Sequence, residues 1–299
     1  MKRDWIAADW GTTNFRAFLM NENDVVAHLS SPCGLLSVSN GAFADTLYQQ
    51  IAPWLASGPL PILMAGMVGS QQGWHNVPYT SLPVGVDGLA AGLCPVETPW
   101  GSPAWIIPGV SGLSAWQQPD VMRGEEIQLL GLHALHPAPA HCALLPGTHS
   151  KHARMENGTI TGFSTLMTGE VFSLLSQHSL LGRALPAQQE SPDAFLAGVD
   201  AAQGDTPFSH LIFSARTRRL TGDLPPEHVH SYLSGLLIGG ELAALPAGEN
   251  AWLVGSASLN ARYLQAAARL HRQLEAVDGD RCFLHGLAVI RSRLQDATV

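Results

Sequence analysis

Apolar residues run from Trp5 to Ala8, Asp9 interrupts them, and a Gly11-Thr12-Thr13 turn leads into a second apolar stretch, Asn14 to Met20. Asn21-Glu22-Asn23-Asp24 has the composition of a hairpin turn, and Val25 to Leu29 follows as a third strand. Phe43, Leu47, Ile51, Trp54 and Leu55 recur at helical spacing, which predicts a helix over 41–55. A short apolar strand at 61–65 ends in Gly66-Met67-Val68-Gly69-Ser70; a buried strand is expected at 104–107 and a helix from Gly124 to about His136. Pro137-Ala138-Pro139-Ala140 is the best linker signal in the chain.

The pattern then repeats. Cys142 to Leu145 is a strand, Pro146-Gly147-Thr148-His149-Ser150 a turn, Lys151 to Met155 a second strand, and Glu156-Asn157-Gly158 turns into a third, Thr159 to Ser164. Helices are expected near 169–181, 192–202 and 228–245. A strand at 251–254 leads into Gly255-Ser256-Ala257-Ser258, a helix over 259–274 and a last helix over 286–294. Two halves that each open with strand, Gly-Thr turn, strand, hairpin and strand predict two α/β domains, 1–136 and 137–299.

With 46% hydrophobic residues over 299 positions, the chain can bury a large core, which excludes global disorder. Charged residues make up only 13%, so a buried subunit interface, and hence a homodimer, is a reasonable expectation. Net charge is −8 and no Lys/Arg run exceeds two residues, so the sequence lacks an obvious basic stripe and no nucleic-acid partner is expected. No apolar window suits a membrane span and the first residues do not resemble a signal peptide; a cytoplasmic protein without a membrane partner is expected. Four scattered cysteines, with no C-x-x-C pair, read as reduced and mostly buried thiols. The histidine pairs His133/His136, His149/His152 and His228/His230 have no Cys or acidic companions at zinc spacing. The absence of G-x-S-x-G, P-loop and G-x-G-x-x-G patterns argues against a serine hydrolase, a P-loop kinase and a simple dinucleotide-binding fold.

The candidate chemistry lies in the turns. Gly11 permits a tight bend from which backbone N–H groups and the Thr12 and Thr13 hydroxyls can face an anion. Asp9 supplies the hard oxygen that Mg²⁺ prefers. Taken alone, this segment is equally an ordinary hairpin with an Asp turn; the second Gly-Thr turn, Gly147-Thr148, favours the phosphate reading. There Thr148, Ser150 and Lys151 could donate to phosphate oxygens. The acidic pair Glu125-Glu126 at a helix start could hold a general base, or could merely complement the helix dipole.

These turns resemble those of the sugar-kinase, Hsp70 and actin superfamily, whose members carry a D-x-G-T/S phosphate loop, a second Gly-Thr/Ser loop and a Gly-containing strand-to-helix turn for adenosine. The matching positions are Asp9–Thr13, Pro146–Lys151 and Gly255–Leu259. More narrowly, Asp9-Trp10-Gly11-Thr12-Thr13-Asn14-Phe15-Arg16, the segment from Ala65 to Trp74, Arg123-Gly124-Glu125-Glu126 and the segment from Leu145 to Lys151 are similar to the 2-keto-3-deoxygalactonate kinase family. That resemblance implies two ribonuclease-H-like α/β domains around a central cleft, with ATP and Mg²⁺ as cofactors. It also implies phosphorylation of 2-dehydro-3-deoxy-D-galactonate to its 6-phosphate in galactonate breakdown. ATP would be held by Gly11, Thr12, Thr13, Gly147, Thr148, Ser150, Lys151, Gly255 and Ser256, with the metal at Asp9. Glu126 is the closer match to the base of related exopolyphosphatases; Glu125 is the alternative, and Asp9 competes if it touches the hydroxyl. Gly69, Ser70, Gln71 and Gln72 would meet the sugar acid, with Arg16 and Arg123 either pairing with its acid group or serving structure. The rival functions are a phosphohydrolase of the exopolyphosphatase type, a kinase for the gluconate-derived epimer, and an ATP-gated interaction module.

Overall fold

A computed structural model of the chain describes residues 4–246 and 248–296. The first part holds β1 (Asp4–Trp10), β2 (Phe15–Asn21), β3 (Asp24–Ser31), α1 (Phe43–Ile51), β4 (Ile62–Ala65), β5 (Thr80–Ser81) and α2 (Val86–Ala91). It continues through β6 (Cys94–Val96), β7 (Ala104–Ile106), β8 (Val110–Leu113), β9 (Pro119–Met122) and α3 (Glu125–Leu135). Then come β10 (Ala140–Leu145), β11 (Ser150–Glu156), β12 (Thr159–Leu166), α4 (Thr168–His178), α5 (Pro192–Ala201), α6 (Phe208–Thr221) and α7 (Val229–Ala243). The chain closes with β13 (Ala251–Gly255), α8 (Ala257–Arg269), β14 (Leu274–Asp278) and α9 (Gly279–Asp296).

Two sheets repeat one topology. The first runs β3-β2-β1-β4-β7-β6 and the second β12-β11-β10-β13-β14, so each places its first strand between its second and its fourth. In the first sheet β1 lies antiparallel to β2 and parallel to β4; in the second, β10 and β14 run parallel to β13. Burial explains the order. Trp5, Ile6, Ala7, Ala8 and Trp10 are all fully buried, as a strand covered on both faces requires, whereas β3 alternates exposed and half-buried positions and forms an edge. Ile6, Ala8 and Trp10 share a core with Phe15, Leu47, Ile62 and Ile106. The second sheet buries Leu144 and Leu253 against Ile238, Leu242 and Tyr263.

The compact units are not the consecutive blocks 1–136 and 137–299. One comprises 1–141, 154–163 and 279–299, and the other 142–153 and 164–278. Two contacts within the first unit account for the difference. Val84 and Ile160 exchange backbone hydrogen bonds at 3.0 and 2.8 Å. The backbones of α3 and α9 approach so closely that a Cβ at Gly131 would lie 1.7 Å from the Cys282 carbonyl, and one at Gly286 would lie 1.9 Å from that of Ile127. Helix α9 also begins earlier than its apolar pattern suggests, and β14 takes the end of the segment expected to be helical. Of the four free cysteines only Cys282 is fully buried; Cys33, Cys94 and Cys142 are half-buried.

The glycine contact generates a stability prediction. Gly131→Ala should cost about 1–3 kcal/mol or more through overpacking, whereas Gly162→Ala, where a Cβ meets open space, should be close to neutral. Thermal denaturation of the two variants checks this; equal melting temperatures would refute the close helix contact.

Candidate active site

Asp9 is a strand residue, not part of the turn that follows. It sits opposite Arg16 in the β1–β2 register. Arg16 donates from Nε and Nη2 to Asp9 Oδ2 at 3.2 and 2.5 Å, and from Nη1 to Asp280 in the first turn of α9. The guanidinium expected to meet a substrate is therefore engaged by two carboxylates, and no sequence signal pointed to Asp280. Burial lifts the Asp9 carboxyl above its ordinary range, against the pull of Arg16. Beyond Asp9, the carbonyls of Gly11, Thr12 and Thr13 accept N–H groups of Leu35, Leu36 and Gly34 at 3.0, 3.1 and 3.1 Å. The turn is thus held from one side, leaving the Thr12 and Thr13 side chains exposed.

Two glycines bring the next pieces together. Gly66 has φ +94°, and a Cβ there would lie 2.9 Å from the Trp10 carbonyl and 3.2 Å from Asp9 Oδ1. Gly124, at φ +116° before α3, would place a Cβ 3.8 Å from the Gly66 Cα. Neither position suits an L side chain. Glu126, two residues on, is fully buried, and both carboxylate oxygens accept the Gly124 N–H, at 2.9 and 2.7 Å. Burial, helped by the charge of Glu125, pushes the Glu126 carboxyl up to about 8, against the backbone N–H groups and Arg123. Glu125 is half-buried and accepts the Arg123 N–H at 3.1 Å. The structure thus distinguishes two acids that are neighbours in sequence.

Arg123 lies 4.5 Å over the Tyr79 ring and donates from Nη2 to the Val77 carbonyl at 2.7 Å. Its Nε and Nη1 are buried without a partner among the described residues, as is the Ser70 hydroxyl. A Cβ at Gly69 would sit 2.7 Å from Arg123 Nη1, so this glycine leaves the guanidinium its room. Gln71 and Gln72 are exposed on the same turn, which closes tightly at Gly73, where a Cβ would lie 2.1 Å from the Val68 carbonyl.

In the second unit, Thr148 and His149 are exposed, and the Thr148 carbonyl accepts the Glu170 N–H at 3.0 Å. Gly169 allows the start of α4 to pack on this turn, since a Cβ would meet the Gly147 carbonyl at 2.5 Å. Ser150 and Lys151 point inward rather than onto the open face expected for phosphate donors. Ser150 is fully buried, and its Oγ accepts the Gly147 N–H and meets the Tyr263 hydroxyl, both at 3.3 Å. Lys151, also buried, donates to the His149 carbonyl at 2.8 Å. Gly255 brings the third turn alongside, with Asn260 Oδ1 and Pro146 Cδ at 2.8 and 3.6 Å from where its Cβ would be, and Ser256 stands exposed before α8. A cavity of about 300 Å³ in the same unit is lined by Phe172, Gln188, Gln189, His230, Arg262 and Gln265. Its walls come from segments distant in sequence, so no motif announced it.

Among the described residues, no three His, Cys, Asp or Glu side chains gather into a metal cage, and no helix is long and apolar enough to cross a membrane. Two sheets of equal order, each presenting a Gly-Thr turn after its first strand, define an α/β protein of the sugar-kinase, Hsp70 and actin type. A solved activator of 2-hydroxyisocaproyl-CoA dehydratase from Clostridium difficile, with bound ADPNP, shares the fold at TM-score 0.52 and 10% identity, over 99% of this chain and 98% of that one. The 2-dehydro-3-deoxygalactonokinase of Escherichia coli K12 is 38% identical over 97% of this chain and 98% of its own length. A solved structure from Sinorhizobium meliloti, provisionally given the same name, superposes at TM-score 0.88 with 32% identity, over 97% of this chain and 99% of that one. The profile of the 2-keto-3-deoxy-galactonokinase family matches residues 9–290, and the chain belongs to that family.

The raised Glu126 carboxyl generates a pH prediction. If Glu126 must be deprotonated to accept a proton, kcat/KM rises with pH through an inflection near 8. Linkage has the opposite sign. The folded state holds this proton up to about 8 and the unfolded chain only to about 4.5, so the contribution to stability falls as pH rises between them. Glu126→Gln should therefore remove the inflection, and its melting temperature relative to the parent should rise from pH 6 to pH 9. A pH-independent difference would contradict the assignment.

Proposed function

We propose that the protein transfers the γ-phosphoryl group of ATP to the terminal hydroxyl of 2-dehydro-3-deoxy-D-galactonate, yielding ADP and the 6-phosphate within galactonate breakdown. Family membership and the names of the relatives support this reading. The observations that carry it are the fully buried Glu126 carboxyl, which feels the charge of Arg123, and the donors of Arg123 (Nε, Nη1) and Ser70 that are buried without a partner among the described residues. Buried guanidinium N–H groups left without acceptors, Nε and Nη1 here, are costly, and an anionic substrate with a planar carboxylate or a keto oxygen satisfies them. Arg123 and Ser70 bind and orient the acid end, while Glu126 accepts the proton of the hydroxyl as the bond to phosphorus forms. Proton affinity near working pH suits a general base.

The exposed Thr12 and Thr13 of the first unit and the exposed Thr148 of the second each offer a hydroxyl to phosphate, and Ser256 and the 300 Å³ cavity, both in the second unit, are the candidates for the nucleoside. The residues fit Mg²⁺: Asp9 offers a hard oxygen at the phosphate turn, and Asp280 gives Arg16 a second carboxylate to hold. When bound, the ion neutralises phosphate charge. The protein works in the cytoplasm, and its sparse surface charge suits a homodimer.

An ADP-release assay with separate 2-keto-3-deoxy sugar acids tests the reaction. Release should require the galactonate-derived acid and stop in EDTA; release without any sugar acid would indicate a phosphohydrolase instead. Arg123→Met should raise the sugar-acid KM by about tenfold or more with the ATP KM little changed. An unaltered sugar-acid KM would remove Arg123 from the substrate site.

A further inference from the structure

Helix α7 is largely buried, yet Glu241, its only acidic residue, lies within it almost without exposure. Its carboxylate gathers groups from three other elements. Oε2 accepts Thr168 Oγ1, from the start of α4, and the Tyr263 hydroxyl of α8 at 2.7 Å, and Oε1 meets His152 Nε2 of β11 at 3.3 Å. A carboxylate offers acceptors only, and this fixes the direction of the chain beyond it. Tyr263 donates to Glu241, so Ser150 donates to Tyr263, and a Ser150 lone pair accepts the Gly147 N–H. Ser150 and His152 are two apart on β11 and therefore share a face, and both meet this network. Thr168, the other arm, immediately precedes Gly169, the residue packed on the Gly147-Thr148 backbone.

We propose that Glu241 is a positioning residue for the triphosphate: by setting one direction for the Gly147–Ser150–Tyr263 chain and holding Thr168, it fixes the second Gly-Thr turn against the start of α4. This rests on the reading that the turn binds phosphate. Glu241 touches neither phosphate nor sugar and acts through the turn it supports. An amide in its place can donate as well as accept, so the chain loses its single direction and the turn its fixed geometry.

Steady-state kinetics and melting temperatures of the full chain test the proposal. Glu241→Gln should raise the ATP KM by about tenfold, leaving the sugar-acid KM within about twofold. Tyr263→Phe and Thr168→Val, each removing one arm, should shift the ATP KM in the same selective way by a smaller factor. A folded Glu241→Gln protein with unchanged ATP KM overturns the proposal, as does a lowered melting temperature with both KM values intact. Should Glu241→Gln fail to fold, the two single-arm variants decide by the same criterion. Thr148→Val separates the two levels. An unchanged ATP KM there removes phosphate binding from the turn and the proposal with it, whereas a raised one beside an unaffected Glu241→Gln removes only the positioning role.

Discussion

A carboxyl taken out of water must find hydrogen bonds or keep its proton, and Glu126 does both. Its oxygens share the Gly124 N–H, which can turn toward them only because Gly124 adopts a left-handed φ of +116°. The same absence of a side chain lets Gly124 approach Gly66, and Gly66 in turn lies against the end of β1 at Asp9 and Trp10. The first unit thus brings the metal-binding candidate, the substrate turn and the base candidate together through backbone contacts. Arg123, anchored by Val77 and Tyr79, supplies positive charge near the acid without pairing with its oxygens.

The two Gly-Thr turns are alike in sequence and in place, yet they are fixed by different means. The first is held by its own carbonyls, which accept N–H groups from 34–36. Beneath the second lies a side-chain network in which Tyr263, Thr168 and His152 meet Glu241, and Ser150 joins it through Tyr263. One fold topology, repeated in two sheets, therefore tolerates different support beneath an equivalent loop.

The strands of both meanders and the helices α1, α3, α5 and α7 were legible because period and burial agree there. The Glu125-Glu126 pair and the Gly66 turn were legible through their motifs. What was hidden depended on contacts between distant segments. Asp280 becomes a partner of Arg16 only because α9 returns to the first sheet, and Glu241 looks like one acid near the end of an apolar helix. Helix α6 was missed because its apolar residues do not share a face, and β14 because five residues give too short an alternation. Ser150 and Lys151 read as donors from residue type, but as neighbours on β11 they face opposite sides of the sheet and both are buried.

Burial lifts the Glu126 carboxyl to about 8, the proton affinity on which the base role proposed for it depends. Carbon-13 NMR of protein labelled at the glutamate side-chain carboxyls, with the Glu126 signal assigned by its loss in Glu126→Gln, measures this without substrate or turnover. The structure predicts a titration midpoint near 8 for that signal. A midpoint near 4.5, the ordinary value for glutamate, would contradict the account.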